Sequence, residues 1–126
     1  MKSVTAAVLA ASALLCAGSA WAQARNLDVF VTEANRVPLN PTSALRSDAR
    51  RLMGEANTAF RTVGAEVRTA RAAGRTPAFC PPERVSVNPR QLLAFLNGIP
   101  QTRRVRMTPT DGIRAWMVSR YPCPPA

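Results

Sequence analysis

The chain has 126 residues, and its 17 lysines and arginines against seven acidic residues give a formal net charge of +10. It contains no histidine, which excludes Ser-His-Asp and Cys-His catalysis as well as zinc sites built on histidine. A charge of this size favours an anionic partner.

The first 22 residues have the pattern of a cleavable signal peptide. Lys2 precedes an apolar run over residues 4–17, and the small residues Ala20 and Ala22 stand just before Gln23. This order of basic, apolar and small-residue regions is typical of export, with cleavage before Gln23. An uncleaved anchor is disfavoured because the apolar run of about 14 residues is shorter than the roughly 20 that span a bilayer.

The expected destination is the periplasm. Attachment to a lipid through Cys16 is disfavoured because Leu15, the residue before it, is not small. Outside the cytosol a basic chain does not ordinarily meet nucleic acid, so acidic proteins, anionic lipid headgroups and cell-wall carboxylates are the expected partners. The alternative is that the arginines only solvate the surface.

Two cysteines, Cys80 and Cys123, remain once the signal peptide is removed. An even pair in an exported chain of about 104 residues indicates a disulfide. Closing a loop of about 44 residues is worth at most roughly 4 kcal/mol in chain entropy. The two positions are too far apart in sequence for a CxxC redox pair.

Residues 47–126 are predicted to form a small all-α domain of three to four helices closed by this disulfide. The clearest helix has Ser47 as its N-cap and ends before Gly74. Its apolar residues recur at steps of four and three, which places them on one face: Ala49, Met53, Ala56, Phe60, Val63, Val67 and Ala70. This face is expected to pack inside the domain, with a homodimer seam as the alternative.

Two further helices carry clear start signals. Asn88 followed by Pro89 begins one, and Thr108 followed by Pro109, with Asp111 in the first turn, begins the next. Residues 23–46 contain two prolines and are predicted to be a lead-in of uncertain structure, either a short strand or a turn of helix.

No arrangement of residues favours an enzyme. Glu55 and Glu66 are 11 positions apart on the long helix, which separates them by about 16 Å along its axis, too far to flank one bond as glycosidase carboxylates do. No glycine-rich phosphate loop is present. The sequence therefore predicts a protein with no catalytic residues, no cofactor and no metal site.

Four motifs in the C-terminal half together resemble a known family: Phe79-Cys80-Pro81-Pro82, Gln91-Leu92-Leu93, Pro100 with Arg103, and Tyr121-Pro122-Cys123-Pro124. In this order they resemble the Rap/Tai immunity proteins of type VI secretion, small periplasmic helical proteins that neutralise peptidoglycan amidase toxins. The resemblance covers roughly residues 77–124 and implies that the two cysteines are bridged.

The resemblance also implies a function, which is to bind an amidase effector and inhibit it by occupying its active-site cleft. The alternative is a basic structural or stress-related envelope protein that contacts anionic lipid or cell wall. The expected contacts with a partner protein are Arg103, Arg104 and Arg106, in the linker between the last two helices, because arginine forks pair well with carboxylates. An ordinary solvated loop is the other interpretation. Replacing all three with alanine is expected to leave folding intact.

Export can be tested by mass spectrometry of the protein recovered from the periplasm. The chain should begin at Gln23, or at Arg25 if the Ala22-Gln23-Ala24 site is cleaved instead. Recovery of the full 126-residue chain from membranes would contradict the prediction.

Overall fold

Five α-helices, one 3-10 helix and no β-strand make up residues 25–125, the part of the chain that the computed structural model describes. This confirms the all-α class, and the predicted signal peptide lies outside the described residues. The helices are α1 (Leu27–Asn35), α2 (Ser47–Ala72), α3 (Pro89–Gly98), α4 (Gln101–Arg104) and α5 (Pro109–Arg120), with the 3-10 helix over Pro41–Leu45. Among the described residues, no helix has the length and apolarity that spanning a membrane requires.

The lead-in is helical and belongs to the same core as the later helices. Asn26 caps α1, because its side chain accepts a hydrogen bond of 2.9 Å from the backbone N–H of Val29. Leu27 is completely buried, and Phe30 and Val31 are buried beside it. Residues 25–46 are therefore part of the structural unit formed by residues 47–125.

The long helix begins one residue earlier than the sequence pattern predicts. Ser47 is its first helical residue, and Arg46 occupies the N-cap position without a side-chain capping bond. Asp48 supplies negative charge in the first turn instead, accepting a 2.9 Å hydrogen bond from the N–H of Ala49. The prediction of Ser47 as the N-cap was wrong for this reason.

The buried face of α2 is rotated from the predicted one over residues 52–60, although Ala49 before them is buried as predicted. Leu52 and Ala59 are buried, whereas Met53 is 55% exposed and borders an open groove. Further along the helix the predicted residues Val63 and Val67 are buried as expected. The shift arises because α2 packs mainly against α5, so the helix presents the residues that face that neighbour.

The starts of α3 and α5 confirm the sequence prediction. The Asn88 side chain accepts hydrogen bonds from the backbone N–H groups of Arg90 and Gln91. Thr108 and Asp111 form a reciprocal capping box, in which each side chain accepts from the other's backbone N–H. Both helices therefore have fixed first turns.

The predicted disulfide between Cys80 and Cys123 is present, with Cα atoms 4.8 Å apart. It joins the irregular connection over residues 73–88 to the end of α5. Next to it, the backbone N–H of Cys80 donates a 2.8 Å hydrogen bond to the carbonyl of Tyr121. These two links hold the connection in place, so that Phe79, which is only 1% exposed, packs in the core although the connection has no helix. A disulfide of this kind is consistent with an oxidising compartment.

Leu27 of α1 packs directly against Gly112 of α5. A Cβ placed on Gly112 would lie 2.8 Å from both Leu27 methyl carbons and 3.1 Å from a methyl carbon of Leu96. Leu27 is completely buried, so its methyl groups have no free space into which they can move. Packing therefore favours glycine at position 112, because any larger residue would force buried leucine side chains to move.

We expect Gly112→Ala to lower the free energy of unfolding by about 1 to 3 kcal/mol, the usual cost of overpacking a core. Gly54→Ala is the matched control. No atom lies within 4 Å of the Cβ it would add, and in a helix it should be neutral or stabilise by up to about 1 kcal/mol. Urea unfolding of the oxidised proteins measures both. Equal stability of the two variants would contradict the packing argument.

Candidate functional site

Residues 99–108, the arginine turn, connect α3 to α5 and are bound to α1 by a hydrogen bond and an ion pair. The turn contains the short helix α4 and ends at the Thr108 cap. The backbone N–H of Leu27 donates a 2.7 Å hydrogen bond to the carbonyl of Met107. The start of α1 thus holds the end of the turn.

The largely buried side chain of Arg104 holds the middle of the arginine turn by binding to Asp28 and to two backbone carbonyls. Its Nε lies 3.1 Å from Oδ1 of Asp28, and the side chains of the two residues are only 15% and 17% exposed. Its Nη1 also donates to the carbonyl oxygens of Asn97 and Ile99, at 3.2 and 2.7 Å. Gln101 makes a longer contact of 3.4 Å to the same carboxylate.

The structure therefore separates the three arginines that were grouped as partner contacts. Arg103 and Arg106 are exposed, and Val105 between them on the turn is 46% exposed. The guanidinium of Arg104 is committed to Asp28 and to two carbonyls, so we assign Arg104 as the anchor of the turn rather than as a partner contact. The expectation that all three can be replaced without loss of stability is revised accordingly.

Asp28 is the residue that sequence reasoning missed. It lies 76 positions before Arg104, in the lead-in whose structure was left open. Nothing in the local sequence pairs these two side chains, because only the docking of α1 beside the turn brings them together.

The acidic residues of the domain are almost all occupied by internal ion pairs. Six of the seven acids lie within ion-pair distance of an arginine in the described residues, and Glu83 is the exception. The arginines that form these pairs are Arg25, Arg46, Arg51, Arg104 and Arg114. The other 11 of the 16 arginines within residues 25–125 have no carboxylate partner there, and they carry the excess positive charge.

The ion pairs also hold the carboxylates in their charged form. The hydrogen bond from Arg25 is the main cause that lowers the pKa of Glu33, and that from Arg114 lowers the pKa of Glu66. For Asp111 the main cause of its lowered pKa is the backbone N–H of Thr108 in the capping box. These carboxylates are therefore bound to groups of the domain itself and are not free to attract a cation.

Within residues 25–125, no group of three or more Cys, Asp or Glu side chains lies close enough together to hold a metal ion. Comparisons of the chain with protein-family models, with curated proteins and with solved structures found no match.

The anchor role of Arg104 predicts a difference in stability between neighbouring arginines. Arg104→Ala should lower the free energy of unfolding by about 2 to 4 kcal/mol, because it leaves a largely buried carboxylate and two carbonyls without their charged donor. Arg103→Ala, the matched control, removes an exposed side chain and should change it little. Thermal and urea unfolding measure both, and an equal effect of the two would refute the assignment.

Proposed function

We propose that this chain is an exported binding protein that captures an acidic partner protein through the arginine turn. In the manner of amidase immunity proteins, it inhibits that partner by occupying the partner's active-site cleft. The observation that carries the proposal is the anchoring of Arg104, because it leaves Arg103 and Arg106 exposed on a turn whose backbone is already fixed.

A fixed turn binds more tightly than a flexible one because less conformational freedom is lost on association. The turn leads into the capping box at the start of α5, and the Cys80–Cys123 disulfide closes the chain just after that helix ends. Arginine is also over-represented among the few residues that dominate binding energy at protein interfaces. The excess positive charge adds electrostatic steering toward an acidic cleft.

The resemblance of the C-terminal half to the Rap/Tai proteins supports an amidase as the partner. Its matching motifs include both cysteines of the disulfide. Arg103, one of the two exposed arginines of the turn, is also among them. The periplasm, to which the signal sequence directs the chain, is the compartment where peptidoglycan amidases act.

A second candidate is a basic envelope protein that contacts anionic lipid or cell wall. The observation that favours it is the distribution of the 11 arginines without a carboxylate partner, which extend from Arg36 in the lead-in to Arg120 at the end of α5. A surface of this kind attracts polyanions through many weak contacts, and such binding falls steeply as salt is added.

The test uses the oxidised mature protein and any amidase that a gene neighbouring its own encodes; if no such amidase is found, the second candidate is favoured. We expect calorimetry to detect a complex, and hydrolysis of purified peptidoglycan by the amidase to stop when the complex forms. The double variant Arg103→Ala/Arg106→Ala should bind about tenfold more weakly or worse, as for two central interface arginines. Added salt should slow association of the unmutated pair.

The control is the double variant Arg71→Ala/Arg75→Ala, which removes two exposed arginines at the far end of α2. It should bind with unchanged affinity. If both double variants lose affinity equally, charge alone drives binding and the turn is not the docking site. If the amidase is neither bound nor inhibited while phosphatidylglycerol vesicles or peptidoglycan are bound, the second candidate replaces the first.

A further inference from the structure

An open apolar groove of about 860 Å³ runs between α2 and α3. The end of α1 and the connection over residues 37–44 complete its walls, so the groove is distinct from the arginine turn. The buried residues Phe30 and Leu52 line its inner side, and the more exposed residues Met53, Phe60 and Leu93 line it nearer to solvent. Among residues 25–125, none of those that line the groove is acidic, and Arg90 is the one charged residue that lines it.

Exposed apolar side chains are concentrated around this groove. Eight large apolar residues of the described chain are exposed, and three of them, Leu39, Met53 and Val87, line the groove. Leu45, 81% exposed, and Val85 adjoin lining residues in sequence. A contiguous apolar surface of this kind on a small domain marks an interaction site more often than scattered exposed residues do.

Both walls of the groove are bordered by arginine. At about 100° per residue along α2, Arg50 and Arg61 fall beside Met53 and Asn57, which line the groove. Both arginines are exposed, and neither has a carboxylate partner in the described chain. On the opposite wall, Arg90 of α3 donates one hydrogen bond of 3.0 Å to the carbonyl of Leu39, which leaves most of its five N–H donors for other acceptors.

The acids of α2 point away from the groove. Asp48, Glu55 and Glu66 fall within about 20° of each other around the helix and about 140° to 160° from Arg50. Glu55 and Glu66 are paired with arginines that do not line the groove, Arg25 and Arg114. The groove is therefore an apolar channel with positive charge on both sides and little negative charge to oppose it.

We propose that this groove binds an acidic amphipathic helix of a partner protein, with the apolar ridge of the helix in the channel and its carboxylates against the bordering arginines. The lining residues of α2 extend from Ala49 to Phe60, about 16 Å along the axis, which matches three turns of a bound helix. Helix-in-groove recognition of this kind uses apolar anchors at steps of three and four. The proposal goes beyond the proposed function because its residues are not those of the arginine turn.

The shape of the groove favours a helix over a small ligand or a membrane. Small-molecule sites enclose most of their ligand, whereas this channel is open along its length. A bilayer surface is broad and presents its charge in a plane, but here the charges lie on either side of a recessed apolar channel. A helix with an apolar ridge and two acidic flanks is complementary to both features.

The probe is a phage-displayed library of 16-residue helical peptides in which each position is Leu, Ala, Glu, Lys or Gln. Selection on the oxidised mature protein should enrich peptides with leucine at helical spacing and glutamate on both flanks. Selection on the Met53→Glu variant should lose that enrichment, because the new carboxylate lies in the channel. The Val118→Glu variant, which changes an exposed valine of α5 outside the groove, should retain it.

A selected peptide then tests the charge complementarity in solution by fluorescence anisotropy. Reversal of the border with Arg50→Glu/Arg61→Glu should weaken its binding by about tenfold or more, whereas Arg71→Glu/Arg75→Glu, the same charge change beyond the groove, should have a smaller effect. Far-ultraviolet circular dichroism confirms that each variant is folded.

Three outcomes would overturn the proposal: no enriched motif, enrichment of glutamate without a leucine ridge, or equal enrichment on the Met53→Glu variant. A fourth is displacement of the selected peptide by phosphatidylglycerol vesicles that bind the protein in a Met53-dependent manner, since the groove would then be a lipid site. None of these four outcomes depends on whether the protein captures an amidase or on whether the arginine-turn variant loses that capture, so the two proposals can fail independently.

Discussion

The packing of Leu27 against Gly112 determines how α1 lies on the rest of the domain. Because position 112 has no side chain, Leu27 lies where even the Cβ of an alanine would come within 2.8 Å of its methyl carbons. This contact places Asp28 beside Arg104 and places Phe30 in the wall of the apolar groove. Residues of α1 therefore contribute to both candidate binding surfaces.

The disulfide has a complementary role at the other side of the core. Residues 73–88 have no helix, and a connection of that length would ordinarily be mobile. The bond to Cys123 and the backbone hydrogen bond to Tyr121 hold it against α5, so that Phe79 can complete the core. A domain of about 100 residues has a limited hydrophobic core, and the cross-link compensates for this by restricting the unfolded chain.

Most acidic side chains of the domain form internal ion pairs, whereas most of the arginines in the described residues have no carboxylate partner. On α2, the carboxylates Glu55 and Glu66 bind Arg25 and Arg114, which joins this helix to the start of the domain and to α5. The arginines on the opposite side of α2 have no such partners within the described residues. Internal pairing of the acids thus leaves a strongly basic exterior, which is suited to acidic partners.

The sequence by itself determined the elements whose signals are local. The caps at Asn88 and Thr108 could be predicted because a cap and its helix are neighbours in the chain. The disulfide could be predicted because only two cysteines follow the predicted signal peptide. The rotation of the buried face of α2 was not readable, since it is decided by which neighbour the helix packs against. Likewise, the anchor role of Arg104, the need for glycine at position 112 and the groove beside Met53 arise from residues far apart in the chain. Only the tertiary structure could decide them, because each depends on where α1 docks, and no local pattern encodes that position.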